Sequence, residues 1–180
     1  MISMDEKTLI AYFSRKGNNF AGESIVDLPV GNTEVVAKMI QEMTDGDVFR
    51  IETVTSYPAD YTETTKVAQK ELRDNVRPML TGHVKDMDSY EVIFLGYPNW
   101  WGTFPRPVAS FLMEYDFYGK IIAPFCTHEG SQLGRSVEEI KETCRKSTVL
   151  DGLAIRGGNA KNAQKEVSEW LKKLKAQGKI

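Results

Sequence analysis

The chain is poor in the residues that carry metal and thiol chemistry. Its 180 residues include only two cysteines and two histidines. Cys126 and Cys144 form no paired Cys/His spacing, so neither a zinc site nor a dithiol redox motif is expected. Cys126 ends the apolar run Ile121–Cys126 and reads as a small buried hydrophobe. His128 stands two residues further on, but the local pattern matches no nucleophile signature. No apolar run is long enough to span a bilayer, and Met1-Ile2-Ser3-Met4-Asp5 does not open a signal peptide. A cytoplasmic protein without a membrane partner is therefore expected. The formal charge of −2, from 23 basic and 25 acidic residues, gives no reason to expect nucleic acid as a partner. No Gly-x-Gly-x-x-Gly follows the first strand pattern, and no Gly-Lys-Ser/Thr closes its loop. A dinucleotide fingerprint and a nucleotide-triphosphate loop are both missing. There is no internal repeat and no low-complexity segment.

What is present is an alternation of buried-strand and helix patterns in an ordinary globular composition, 41% hydrophobic and 27% charged. One domain spanning 1–180 is expected from the length. Strand patterns cover Leu9–Phe13, Val48–Thr53, Val92–Gly96, Ile121–Cys126 and Val149–Ile155. Helix patterns cover Glu34–Met43, Thr62–Arg73, Pro107–Glu114, Arg135–Cys144 and Asn162–Lys175. The central strand runs are apolar throughout rather than alternating, as when helices cover both faces of a sheet. Repeated β-α units with short connections predict an α/β fold with an open, mostly parallel, doubly wound sheet of five strands. Residues 16–30 interrupt the spacing as an insertion in the first loop, with Gly17-Asn18-Asn19-Phe20 reading as a turn. Ser56–Ser89 is a long connection with a helix in its middle.

In open α/β sheets ligands bind beyond the carboxyl ends of the strands. Three loops leave such ends with unusual composition. The first runs from Ser14-Arg15-Lys16 to Gly31-Asn32-Thr33-Glu34 and enters a helix. Unpartnered N–H groups at a helix start attract an anion, and the Ser14 and Thr33 hydroxyls and the Asn32 amide add donors. The second, Tyr97-Pro98-Asn99-Trp100-Trp101-Gly102-Thr103-Phe104-Pro105, exposes two adjacent indoles. They either face a planar ligand or pack as a plug beneath the following helix. The third, Thr127-His128-Glu129-Gly130-Ser131-Gln132-Leu133-Gly134, carries a hydroxyl, an imidazole and a glycine that permits close backbone approach. His83 lies in the connecting region and reads as structural.

A phosphate loop, an aromatic loop and a donor-bearing loop together describe a flat, monophosphorylated ligand, and FMN meets that description. Gly31-Asn32-Thr33-Glu34, Tyr97–Pro105 and Phe125–Ser131 carry a resemblance to the flavodoxin-like family, specifically to bacterial members with Tyr-Pro-x-Trp-Trp-Gly and Thr-His-x-Gly-Ser loops. The resemblance spans nearly the whole chain. It implies sheet order 2-1-3-4-5, helices on both faces and FMN at the switch in strand order. It implies Ser14, Asn32 and Thr33 on the phosphate, with Lys16 at the position where the family motif has a second hydroxyl. It places Pro98, Asn99, Trp100, Trp101 and Gly102 along the ring, and Thr127, His128, Glu129 and Gly130 at its polar edge. No side chain stands out as an acid–base catalyst. The implied activity is flavin-mediated electron transfer or oxidoreduction, with a partner protein or a small acceptor, in a monomer or homodimer. The alternatives are an NAD(P)H-dependent quinone, nitro or azo reductase, or a non-catalytic binding module. A phospho-acceptor receiver domain would need acidic residues after the first strand, where Tyr12-Phe13-Ser14 stands.

Overall fold

Runs of apolar residues without alternation become strands buried on both faces. The computed structural model describes residues 1–180. In chain order the elements are β1 (Thr8–Tyr12), β2 (Gly17–Ala21), β3 (Ser24–Leu28), α1 (Asn32–Thr44), β4 (Asp47–Arg50) and α2 (Tyr61–Arg73). There follow β5 (Val92–Pro98), α3 (Arg106–Glu114), β6 (Ile121–His128), α4 (Ser136–Thr143), β7 (Thr148–Val149), β8 (Leu153–Arg156) and α5 (Gln164–Ala176). Every residue of β1 is buried, and β5 and β6 are buried except at one end.

The main sheet is parallel and ordered β4-β1-β5-β6, with β7 and β8 both pairing with β6. This is the 2-1-3-4-5 order of the flavodoxin fold, with its fifth strand in two pieces. The expected continuous strand Val149–Ile155 breaks for a register reason. Val149 pairs with Ile122 and Leu153 with Phe125, so three residues lie opposite two on β6. Leu150 still donates to the Ile122 carbonyl at 2.9 Å. Gly152 then passes so near Leu133 and the Pro124 carbonyl that a Cβ would lie 3.0–3.2 Å from them.

Alternate strand residues feed two cores. Leu9, Ala11 and Phe13 pack with α3 and α4 through Val108, Phe111, Leu112 and Ile140. Ile10 and Tyr12 pack with α1 and α5 through Val36, Ile40, Val167 and Leu171. The amphipathic helix patterns are therefore real, with ends moved by a residue or two: α4 begins at Ser136 and α5 runs Gln164–Ala176. α2 buries only Thr64 and Ala68, leaving much of it free to border a cleft. The second strand is shorter than its apolar pattern, although Ile51 still donates to the Tyr12 carbonyl at 2.7 Å. No helix is long and apolar enough to cross a membrane.

The insertion departs most from expectation. Gly17-Asn18-Asn19-Phe20 is part of strand β2, not a turn. β2 and β3 form an antiparallel hairpin separate from the main sheet, with Ala21 paired to Ser24. The turn is Gly22-Glu23, and Gly22 has φ of 73°, a value suited to glycine at the first central position of a two-residue hairpin loop. No residue of the hairpin is fully buried, so its sequence lacks the strong alternation that marks a strand.

Candidate functional site

The order β1-β5-β6 brings the three unusual loops side by side at the carboxyl ends of those strands, next to the start of α1. Gly31 caps α1 without a side chain, and Ser14 replaces the missing cap. Its Oγ accepts from the Glu34 N–H at 3.1 Å. A Cβ on Gly31 would lie 2.2 Å from that Oγ, so the approach requires glycine. The N–H groups of Asn32 and Thr33 have no protein acceptor. Thr33 and Thr127, both buried, share a hydroxyl–hydroxyl hydrogen bond of 2.7 Å across the two loops. That bond uses one of their two protons, leaving a hydroxyl free to donate.

Two adjoining cavities follow from this cradle. The smaller, of about 230 Å³, is lined by Ser14, Asn32, Thr33, Pro98, Thr127, His128 and Glu129, with Phe20 and Leu28 of the hairpin and Gly157 beyond β8. The larger, of about 530 Å³, is lined by Trp101, Gly102 and the α2 residues Tyr61, Thr62, Thr64, Thr65 and Ala68. Arg15, Asn19, Tyr61, Asn99, Trp100 and Ser131 border both. A polar cradle at a helix start, opening into a wider chamber with an indole wall, suits a ligand with one anionic end and one flat end.

Behind the cradle, Glu34 in the first turn of α1 would repel an anion if left alone. Arg50 Nη1 pairs with it, and Tyr12 donates its hydroxyl to the same oxygen at 3.2 Å. Arg50 Nη2 also reaches the Ser14 carbonyl at 3.4 Å. Burial, more than the Glu34 charge, holds the Tyr12 phenol above its usual range.

The tryptophans divide between the two expectations. Trp100 packs edge-on against Phe13 and Tyr57, with ring centroids 5.3 and 5.2 Å away, and walls both cavities. Trp101 is 47% exposed. It sits at φ 57°, a conformation costly for a bulky residue, and its Nε1–H donates to the Thr65 carbonyl of α2 at 2.9 Å. Trp100 is thus both plug and wall, whereas Trp101 stands out over the larger cavity.

Asn99 and Gly102 do more for the loops than for a ligand. Asn99 Oδ1 accepts from Gly102 N–H at 2.9 Å, and Nδ2 donates to the Gln132 carbonyl at 2.8 Å. The Gly102 carbonyl accepts from Arg135 N–H at 2.9 Å, so the aromatic and donor loops lock together.

His128 is buried, and its Nδ1 accepts from the Gly130 N–H at 2.9 Å. The neutral ring therefore carries its proton on Nε2. Burial, and then the nearby Arg156, push its pKa below the usual 6.5. Glu129 Oε2 accepts from Gly22 N–H at the hairpin tip at 3.0 Å. Burial raises the Glu129 pKa, against the opposing pull of that N–H and of Arg156. A Cβ on Gly157 would fall 2.1 Å from Glu129 Oε1 and 2.6 Å from Asn32 Nδ2, so this cradle wall also requires glycine.

Two expected residues are not brought to the site. Lys16 is exposed and borders neither cavity. Successive side chains of extended backbone point to opposite sides, and here Arg15 takes the inward position. The Arg15 guanidinium donates to Asn18 O, to Asn19 Oδ1 at 3.2 Å, and to Pro58 O and Ala59 O at 2.9 and 2.8 Å. Gly130 also borders neither cavity, because its N–H is turned to His128; Ser131 lines both in its stead. Sequence reasoning missed Arg15, Tyr61, Ser131 and Gly157. Arg15 lay beside the lysine in the phosphate loop, and Gly157-Gly158 follows a strand end, which is a usable signal.

Residues 7–174 match the family model described as Flavodoxin. Two solved structures, ascribed to the flavoproteins, share 26% and 27% identity with the chain; they come from Bacteroides eggerthii and Bacteroides uniformis. Both give a TM-score of 0.76, and the alignments cover 93% of this chain and 97% and 98% of theirs. A flavoprotein from Lactobacillus acidophilus, solved in complex with FMN, is 24% identical with a TM-score of 0.66 over 92% of this chain and 98% of its own. The sequence matches no functionally curated protein.

Proposed function

We propose a function from one established premise: this chain belongs to the flavodoxin family, whose model it matches over residues 7–174. The chain binds FMN non-covalently and works as a flavin-dependent redox protein. The unpartnered N–H groups of Asn32 and Thr33, beside the free hydroxyl of the Thr33–Thr127 pair, carry this reading. The donor set suits a terminal phosphate, and the cavity of about 230 Å³ beside it is the space for one.

FMN supplies the electron chemistry when bound; the chain supplies position, shielding and electrostatics. Ser14, Asn32 and Thr33 hold the phosphate. Pro98, Trp100 and Trp101 wall the flat ring and exclude water from one side. Thr127 donates to Thr33, which leaves the Thr33 proton for the phosphate, and the Nε2–H of neutral His128 is a donor for the polar edge of that ring, where it favours added negative charge. Asn99, Gly102 and Gly130 fix the loops that carry these groups.

The absorption spectrum of the purified protein and an equilibrium titration with FMN and riboflavin test this. The expected outcome is a flavin spectrum and tighter binding of FMN than of riboflavin. A colourless protein that ignores added FMN, or equal affinity for both ligands, refutes the assignment.

A further inference from the structure

The hairpin β2–β3 is not part of the sheet, yet it borders the cradle. Its strands pair only with each other, and a lone two-stranded hairpin has little stability of its own. Side-chain bonds at its two ends and one ring stack hold it in place. At the base, Arg15 joins Asn18 and Asn19 to the carbonyls of Pro58 and Ala59. Beside them Asn18 Oδ1 accepts from Tyr61 N–H at 2.7 Å, and Phe20 stacks on the Tyr61 ring with centroids 6.2 Å apart. At the tip the only hydrogen bond to the rest of the chain is Gly22 N–H to Glu129 Oε2, with the Phe20 stack one residue pair below it. The base is therefore fixed by several bonds and the tip by one.

That one tie crosses the cradle. Phe20 and Leu28 from the hairpin and Glu129 from the third loop border the same small cavity as Ser14, Asn32 and Thr33. The larger cavity adjoins it and extends toward Trp101 and α2. The hairpin thus borders the anionic end of the site with Phe20 and Leu28 and reaches the larger cavity only with Asn19.

We propose that the hairpin is a strap, hinged at Arg15 and latched on Glu129, that closes the phosphate end of the site. This rests on the FMN reading above. It has two consequences. The cofactor enters and leaves only while the latch is undone. A flavin that continues beyond its first phosphate, as FAD does, cannot be enclosed under a closed strap.

The test uses the full chain in three forms: wild type, Glu129→Ala and Phe20→Ala. Glu129→Ala removes the latch. Phe20→Ala removes the ring stack on Tyr61, one residue pair short of the tip, and, since Phe20 is partly exposed, leaves the core intact. Hydrogen exchange of the hairpin amides is read first, without ligand. Loss of a hydrogen bond to a charged group should speed exchange in the hairpin by about tenfold or more, with the main sheet unchanged. Stopped-flow mixing with FMN should then show association and dissociation both faster by about the same factor, and the FAD-to-FMN affinity ratio should move toward FAD. Unchanged hairpin exchange in both variants overturns the latch. Faster exchange with unchanged FMN rates and an unchanged FAD-to-FMN ratio overturns the gate. Wild-type protein that binds FAD as tightly as FMN overturns the closed phosphate end. Wild-type protein that binds neither flavin removes the FMN reading and the gate with it, whereas normal FMN binding with unaltered variants removes the gate alone.

Discussion

Ser14→Ala separates the structural and ligand roles of one hydroxyl. In the protein, Ser14 Oγ accepts from the Glu34 N–H at 3.1 Å, and the residue is 8% exposed. Alanine removes that acceptor and leaves the N–H without a partner. Losing a helix cap of this kind costs about 1 kcal/mol. For a domain of this size that is a fall in Tm of about 2–4 °C. The cavity left by one oxygen is too small to add much. The ligand effect has a different size and selectivity. The Ser14 proton is free to donate to the cofactor phosphate, and a hydrogen bond to a charged group contributes about 1.5–3 kcal/mol. FMN affinity should fall by about ten- to a hundredfold, while riboflavin, which has no phosphate, keeps its affinity. Thermal unfolding without ligand gives the first quantity. Fluorescence titrations of both flavins give the second. Equal loss for FMN and riboflavin would refute the phosphate assignment. An unchanged Tm would refute the capping role.

The two tryptophans should respond differently. Trp100→Ala removes an indole packed on Phe13 and Tyr57 and should destabilise the fold by about 3 kcal/mol; Trp101→Ala, at an exposed and strained position, should leave the denaturation midpoint within about 1 kcal/mol of wild type yet weaken FMN binding. Chemical denaturation alongside flavin titration checks both, and equal destabilisation by the two variants would be the contrary result. His128 should make stability depend on pH in a definite direction. Its pKa is lowered in the folded protein, so the unfolded chain takes up the proton first as pH falls. The stability due to the neutral ring is complete above the ordinary value of 6.5 and is lost as pH drops through the lower folded value. Wild type should therefore lose stability relative to His128→Gln as pH falls from 6.5 to the lower folded value, as read from denaturant midpoints across pH. The same lowering confines any effect of a charged imidazole on the flavin potential to acidic pH, so potentials of wild type and His128→Gln should diverge only there. A gap that persists unchanged into alkaline solution would contradict this.

The order of strands and helices was legible in the sequence because it depends on local pattern. Apolar runs such as Val92–Gly96 and Ile121–Cys126 have no polar face to show, and helix faces such as that of Val36, Ile40 and their neighbours repeat at the helical period. The three loops were legible because glycine, tryptophan and hydroxyl residues at strand ends are chemically conspicuous. The break between β7 and β8 was not, since it depends on counting residues against β6. The choice of Arg15 over Lys16, the use of Asn99 to tie two loops, and the turning of Gly130 N–H toward His128 were equally hidden. The hairpin escaped notice because its faces are only partly buried, and partners as distant in sequence as Tyr61 and Glu129 hold it. Local sequence determines which residues form each element and which polar groups a loop possesses. Only tertiary structure decides which of those groups are consumed in holding the loops and which remain to meet a ligand, because each hydrogen bond to a distant part of the chain removes one donor or acceptor from the site.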